Sequence, residues 1–490
     1  MNNYICFDAG TQSVKVAVYN SDGQQLAVNV NPTTLFYPHT GWVEMDVNEY
    51  YELAIKGIAS CVQQLNEKNI PLNSIRAIMG DGIICGIAGI DENGIAITPY
   101  INYLDSRTQS DAEFLASKNL SIWAEETGNP EPLCLFPALH ARWLLKNSPN
   151  SNKIRKFIHN APYILMRLGG LKANDAFIDC GAMSGWGLGY NVIKKSWSQK
   201  QLEILEINPE LMPKIHNAWD ISGYLSEDAA SKTGLPSGIP ICSGAGDTMQ
   251  SLLACGVFKP GHAVDVAGTC SMFCISTNGI IPGLSKKGNG LIFNSGTLPD
   301  TYFYWGFVRT GGLALRWFRD NICNRPGDDE YYKFLTEGAK NIPAGSDGVR
   351  FLAWLTGGPK GYENVHGCFI NMGMNTNQFT LWRAVLEAIA GEYAEIAQRC
   401  RNSGTPVDRV IITEGGSKDN LWNQIKADLI RAETVTLKTG GALATNSLIA
   451  AQAVGDLSDI ENKLSENLIE TGKFLPSKEA LKLPEIPFKI

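Results

Sequence analysis

Apolar and polar positions along the chain fall into a phrase that is used twice. Tyr4 to Phe7 is an apolar run, Asp8 to Ser13 is small and polar, Val14 to Tyr19 alternates, and Asn20-Ser21-Asp22-Gly23 is a turn signal. Together they predict a β-hairpin. About half a chain later the design returns in His262 to Val266, Ala267 to Ser271, Met272 to Ile275 and the turn Ser276-Thr277-Asn278-Gly279. Both bends carry Gly-Thr-x-Ser, at Gly10/Thr11/Ser13 and at Gly268/Thr269/Ser271. A supersecondary unit repeated at this distance predicts two domains of related build; a solenoid would have a shorter period.

Around the two copies, helical and strand-like stretches alternate. Val47 to Leu65, Pro137 to Leu145, Tyr163 to Leu168 and Leu381 to Cys400 have helical periodicity. Ile75 to Met79 and Ile83 to Ile90 read as buried strands, and Val410 to Thr413 as a short strand running into Glu414-Gly415-Gly416. Ala442 to Val454 is an Ala-rich helix opened by Gly440-Gly441. The mixture predicts an α/β protein. The boundary is placed in the Pro240 to Gly246 stretch, giving units 1–243 and 244–490. No low-complexity linker separates them, so the halves are expected to meet across a cleft, a favoured place for a ligand.

Composition narrows the function classes. With 42 basic and 49 acidic residues the net charge is −7, which does not favour nucleic acid or an anionic membrane as partner. Apolar residues make up 44% and charged residues 19%, enough for a real core. No apolar run approaches the roughly 18–20 residues that span a bilayer, and Met1 to Phe7 has no basic leader, so the cytoplasm is expected. The twelve cysteines are scattered without any CxxC and read as reduced, mostly buried thiols. The six histidines stand apart from any cysteine pair, which argues against structural zinc.

Candidate chemistry gathers at four places. In a strand–turn–strand bend, glycine lets backbone N–H groups approach a ligand, and a threonine hydroxyl can donate to phosphate. One such bend, Gly10-Thr11-Gln12, is equally an ordinary turn; two matching bends point to a nucleoside triphosphate gripped from both sides. Neither GxxxxGK[ST] nor a helix-opening GxGxxG is present. Asp8, at the end of the first strand, fits a Mg²⁺ ligand acting through water and, equally, a turn-capping residue. Asp247, in Ser243-Gly244-Ala245-Gly246-Asp247-Thr248, fits a helix N-cap and also a general base facing an acceptor hydroxyl. Gly311-Gly312 and Gly415-Gly416-Ser417-Lys418-Asp419-Asn420 fit glycine-rich loops that lie flat against a purine, with an ordinary βα loop as the alternative. Glu387 and Glu392 read as a solvated helix face, and His140 and His262 as structural.

Taken in order, these motifs resemble the FGGY family of carbohydrate kinases along essentially the whole chain. The resemblance rests on Asp8 to Lys15, Gly41 to Asp46, Gly244 to Asp247, Ala267 to Thr269, Arg383 to Glu387, Gly415 to Ser417 with Trp422 to Asp428, and the stretch Gly441 to Gly455. It implies two actin-like, ribonuclease H-like ATPase domains around a cleft, and ATP- and Mg²⁺-dependent phosphorylation of a sugar or polyol hydroxyl. Carried over by position, Asp247 matches the catalytic base and Asp8 the metal-side aspartate. Gly10, Thr11 and Gln12 match the first phosphate loop, Gly268 and Thr269 the second, and Gly312, Gly415, Gly416 and Asn420 the nucleotide contacts. Glycerol kinases of the family place Arg-Glu, and xylulokinases Met-His, where this chain has Ile84-Cys85. Leu135 replaces a glycerol-kinase tyrosine, which weighs against glycerol. Asp105 and Thr248 remain as polar groups able to contact the substrate. The chain resembles the xylulokinase-like branch, so a pentulose such as xylulose is the expected substrate. Another polyol, an aldonate or a signalling sugar are the alternatives, as is a nucleotide clamp that phosphorylates nothing. The expected partner is one small sugar or polyol, with a homodimer left open.

Overall fold

The first hairpin forms as the alternation predicts. Strand Asn3–Ala9 runs antiparallel to Ser13–Asn20, with Asn3 opposite Asn20 and Ala9 opposite Val14. Strand Gln25–Pro32 adds antiparallel to the second. The computed structural model describes residues 1–268, 271–308, 310–358, 364–438, 441–479 and 481–484.

A parallel strand, Ile75–Gly82, then lies on the other side of Asn3–Ala9, and Pro240–Cys242 pairs parallel beyond it. Counting these five strands in chain order, the sheet reads 3-2-1-4-5, closed at its edge by Ile221–Tyr224. The second sheet repeats that order. His262–Ala267 and Ser271–Thr277 form the hairpin, Tyr302–Val308 adds antiparallel, and Arg409–Thr413 and Glu433–Lys438 follow in parallel. Ile292–Ser295 and Ile469–Phe474 extend its two edges. Two three-stranded meanders, each continued by parallel strands, constitute the duplicated build read from the repeated phrase.

Local chemistry accounts for the helices. In Val47–Glu67 the residues Val47, Tyr50, Tyr51, Ala54, Ile58, Cys61, Val62 and Leu65 form one apolar stripe buried on the first sheet, and Asp46 caps the start by accepting from the Asn48 N–H at 2.9 Å. Helix Gln378–Asn402 plays the matching part in the second half, capped by Asn377 and packed against helix Asn420–Ile430. After the fifth strand of each sheet comes a further helix, Asp247–Ala254 and Gly441–Ala453 respectively. Because Ala245–Gly246 still pairs within the first sheet, the first half runs past the expected boundary between 243 and 244 to include Asp247–Ala254. These two helices pack on each other, and Gly441–Ala453 also lies on strands Asn3–Ala9 and Ile75–Gly82 of the first sheet. The halves therefore meet directly, as expected.

Several sequence expectations are revised. The strand expected over Ile83 to Ile90 is interrupted: Ile75–Gly82 continues past Met79, a bend takes Ile83 to Cys85, and the next strand is Gly86–Ile90. Glu387 is not solvated. It is 1% exposed and accepts from Arg383 Nε at 2.8 Å, Ser346 Oγ at 2.9 Å and the Gly345 N–H at 3.0 Å. The Arg/Glu spacing that looks like a surface pair is roofed by the Gly345–Ser346 loop.

A buried ion pair sits beneath the second hairpin. Lys426 Nζ lies 2.5 Å from Asp265 Oδ2, both side chains fully enclosed, with the ammonium 3.6 Å from the centre of the Trp422 ring. Removing one partner strands the other charge in the core. We expect Lys426→Met to lower stability by about 3–5 kcal/mol, and Asp265→Leu combined with Lys426→Met to recover most of it. Denaturant midpoints of the three proteins check this.

Candidate active site

Three carboxylates converge where parallel strands of the first sheet end. Asp8 is next to last in strand Asn3–Ala9, and its register partner across the parallel pair is Asp81, next to last in Ile75–Gly82. Ala245–Gly246 pairs with the same strand, Ala245 opposite Asp81, and so delivers Asp247 beside them. In open α/β sheets the carboxyl ends of strands are the usual ligand site. The sequence reading singled out Asp8 and Asp247. It missed Asp81, which sits inside an apolar stretch as Gly80-Asp81-Gly82 with no local signature.

Their surroundings differ. Asp247 is partly open to solvent, and its Oδ1 accepts from the Thr248 N–H at 2.6 Å and the Thr248 hydroxyl at 3.2 Å. It is the first helical residue and Gly246 the cap; its Oδ1 is engaged by Thr248 at the helix start, and its Oδ2 has no hydrogen bond there among the described residues. Enclosure by protein, with the negative charge of Asp8 added, pushes its carboxyl up to about 7, despite two hydrogen bonds that pull the other way. Asp81 is fully buried, and burial together with Asp8 drives it well above the ordinary carboxylate range. Asp8 is raised as well, chiefly by desolvation, while a hydrogen bond with Asp81 and then the charge of Lys15 oppose the shift.

The expected substrate-side residues divide. Ile84 and Cys85 lie beside the acids: a Cβ on Gly246 would fall 2.2 Å from Ile84 Cγ2, and the Cys85 thiol, which bears on Asp247, donates to the Gly185 carbonyl at 3.6 Å. Thr248 is held on Asp247 itself. Asp105 is corrected. Its side chain is sealed, Oδ1 and Oδ2 accept from Arg107 Nε at 2.9 Å and Nη2 at 2.8 Å, and Oδ2 also takes the Val43 N–H at 2.6 Å. Arg107 in turn stacks 3.8 Å over Trp42. Asp105 thus braces an aromatic-lined arginine and offers no oxygen to a substrate.

On the nucleotide side the structure brings the second-half loops together. The Gly312 N–H donates to the Gly268 carbonyl at 3.0 Å, and Gly416 packs so tightly on Ala267 that a Cβ there would lie 2.3 Å from the Ala267 Cβ. Gly415, by contrast, is exposed with open space around it. Glu414 just before it holds φ 58°, ψ −155°, a conformation that ordinarily belongs to glycine and stores strain of the kind found at ligand sites. Asn420 is exposed, and Asp419, not Asn420, caps its helix by accepting from the Trp422 N–H at 3.0 Å. In the first hairpin, Gly10 closes the bend on Ser13 at 3.0 Å and its carbonyl accepts from Tyr50 OH, while Thr11 is half-exposed and Gln12 exposed. Thr269 lies outside the described residues.

A profile of the FGGY family of carbohydrate kinases, N-terminal domain, matches residues 3–254, and one of the C-terminal domain of the same family matches 263–451. The chain belongs to the FGGY family of carbohydrate kinases. It is 26% identical to a xylulose kinase of Staphylococcus xylosus over 89% of this chain and 87% of that protein. It is also 26% identical to a gluconokinase of Bacillus subtilis (strain 168), over 93% and 90%. Among solved structures, a xylulose kinase from Rhodospirillum rubrum superposes with a TM-score of 0.86 at 23% identity, covering 97% of this chain and 95% of that one. The two sheets are thus those of an actin-like kinase fold, and the reaction class is phosphoryl transfer from ATP to an alcohol.

Family membership also implies Mg²⁺. Among the described residues no three His, Cys, Asp or Glu side chains converge as a ready metal cage. Mg²⁺ in kinases is held by one or two carboxylates plus phosphate oxygens and water, so that does not count against it. Asp8 beside Asp81, whose buried Oδ1 has no donor group in reach, is a donor set that fits. No helix among the described residues is long and apolar enough to cross a membrane.

Two neighbouring glycines should respond differently to a methyl group. Gly416→Ala must displace Ala267, and we expect a loss of about 1–3 kcal/mol together with weaker ATP binding. Gly415→Ala meets open space, so its melting temperature should stay within error. Thermal unfolding with and without ATP separates the two.

Proposed function

We propose that this kinase phosphorylates a hydroxyl of a small uncharged sugar, a pentulose such as xylulose first, with Asp247 as the general base. The observation that carries the reading is the state of Asp247: part-exposed, adjacent to Asp8 and Asp81, and held near the pH at which a carboxyl both accepts and releases a proton readily. Thr248 orients it. Asp247 takes the proton from the acceptor hydroxyl as that oxygen attacks in line and is itself neutralised; the helix start behind it favours the ionised form that must be present beforehand. Gly10, Thr11, Gln12, Gly268 and Thr269 supply N–H and hydroxyl donors to the phosphates. Gly312, Gly415, Gly416 and Asn420 contact the nucleotide. Asp8 would hold Mg²⁺, which when bound neutralises phosphate charge. Closing the halves excludes water as a competing acceptor. The setting in the cell is the cytoplasm.

The substrate class follows from what faces the base. Ile84 and Cys85 are apolar, and the charged group bearing on Asp247 is another carboxylate. Such a wall favours a neutral acceptor over an aldonate, whose own carboxylate would be repelled. It also lacks the charged clamp that would read glycerol. Another polyol or a signalling sugar meets the same criterion and stays as the second choice. A clamp that phosphorylates nothing is disfavoured by the intact acid beside the loops.

A panel of ketoses, polyols and aldonates with ADP release as readout tests the substrate. ADP release should rise with a pentulose and stay at background with gluconate and glycerol; stimulation by gluconate alone would overturn the neutral-acceptor reading. Asp247→Asn should lower kcat at least about 100-fold while the KM for ATP changes less than about threefold. The sign of the pH effect is fixed by the same group. Asp247 must be ionised to act and its carboxyl sits near 7, so kcat/KM should fall about tenfold per unit below pH 7 and level off above it. A flat profile between pH 5 and 8 would contradict the base assignment.

A further inference from the structure

Asp81, so far only a neighbour of Asp8 whose oxygens could serve a metal, is buried against two other acids at an electrostatic cost. It is 0% exposed, it neighbours Asp8 across a parallel pair of strands, and the other acid that bears on it is Asp247. One of its oxygens is accounted for. Asn446, on helix Gly441–Ala453 of the second half, donates Nδ2 to Asp81 Oδ2 at 2.7 Å and to the Phe7 carbonyl at 3.3 Å. Asn446 is itself held by Gln250 Nε2 at 2.6 Å, one turn along from Asp247, and Gln250 takes the Thr297 hydroxyl at 3.1 Å. Asn446 and Gln250 are both fully buried. This chain of amides pins Oδ2 and leaves Oδ1 buried, with no donor group in reach, on the side chain that faces Asp8, the acid with which it can share a proton.

We propose that Asp81 and Asp8 together seat a divalent cation on the floor of the cleft, and that the seat fills before nucleotide arrives. Two carboxylates packed side by side in low dielectric do not both ionise without compensation. Lys15 is the cation that bears on Asp8, whereas the charged groups that weigh most on Asp81 are the acids Asp8 and Asp247. Two carboxylates with open positions for water match the way small hard cations are bound at phosphoryl-transfer sites. The second carboxylate makes the difference: one acid holds such an ion only with help from phosphate oxygens, whereas two can hold it alone. Because Oδ2 is fixed by a residue of the other half, the seat takes its shape only where the two halves meet. The proposal rests on the kinase reading for its purpose, but its measurement involves no turnover.

The probe is Mn²⁺, followed by electron paramagnetic resonance and by calorimetry on the full chain without nucleotide. The wild type should bind one Mn²⁺ per chain, displaced by Mg²⁺. Asp81→Asn, which keeps an oxygen for Asn446, should weaken that binding at least tenfold, and Asp8→Asn should do the same. Nucleotide-free wild type that binds no Mn²⁺ overturns the proposal, and this arm needs no variant to fold. A folded Asp81→Asn protein with wild-type Mn²⁺ affinity overturns it too. So does an infrared band of a protonated carboxyl, lost in Asp81→Asn and unchanged by Mn²⁺, because the pair would then be compensated by a shared proton. None of these results depends on Asp247, so the base assignment stands or falls separately.

Discussion

The site depends on one register: strand Asn3–Ala9 lies parallel to Ile75–Gly82 with Asp8 opposite Asp81. A slip of one residue would turn one acid to the opposite face of the sheet, because side chains alternate along a strand. The register is held by apolar neighbours. Ile5 and Phe7 on one strand and Ile78 on the next are fully buried, and Phe7 occupies the space that Gly80 leaves by having no side chain. Ordinary core packing therefore sets two like charges side by side, and the cost of that placement is what makes the location chemically useful. The third acid arrives by the same route, since Ala245–Gly246 pairs with Ile75–Gly82 before Asp247 begins its helix.

The second constraint is duplication. Each half ends its five-strand order in a helix, and the two helices pack on each other. One of them carries Asp247 and Gln250; the other carries Asn446 and lies on the strands that carry Asp8 and Asp81. Any rotation of one half against the other must pass through that contact. The buried amide link from Gln250 through Asn446 to Asp81 makes the contact polar and directional, where apolar packing alone would let the helices slide.

Much of this was legible in the residues. Both hairpins are written in alternation and turn signals, and their repetition announced two related domains before any coordinates. Asp8 and Asp247 stand out in the sequence, Asp8 because it ends an apolar run before a small polar bend and Asp247 because small residues precede it and a helical run follows. Asp81 does not. Its partner is 73 positions away in the chain, and only the parallel pairing reveals it. Glu387 failed for the opposite reason: with Arg383 one turn earlier it mimics a surface pair, and the loop that buries it is 41 positions distant. Asp105 looked available because local sequence shows its polarity but not the Arg107 fork that consumes it. In each case the missing information is a contact between segments far apart in the chain, which period and propensity do not encode.

The same contacts bear on why the acceptor wall is apolar. If Asp247 is the base, as proposed, a sugar hydroxyl meets it beside Ile84 and Cys85, with Asp8 and Asp81 as its other neighbours. A basic residue placed there to recognise an anionic substrate would pair with the three acids first, lower the Asp247 carboxyl back toward the ordinary range and weaken it as a base. Apolar neighbours do the reverse: they keep the carboxyl raised and leave its lone pairs for the incoming hydroxyl. A crowded acidic floor therefore goes with the neutral substrate proposed. A relative that accepts an aldonate must place its cation at the far end of the sugar, clear of the base, where it would not disturb the proton transfer.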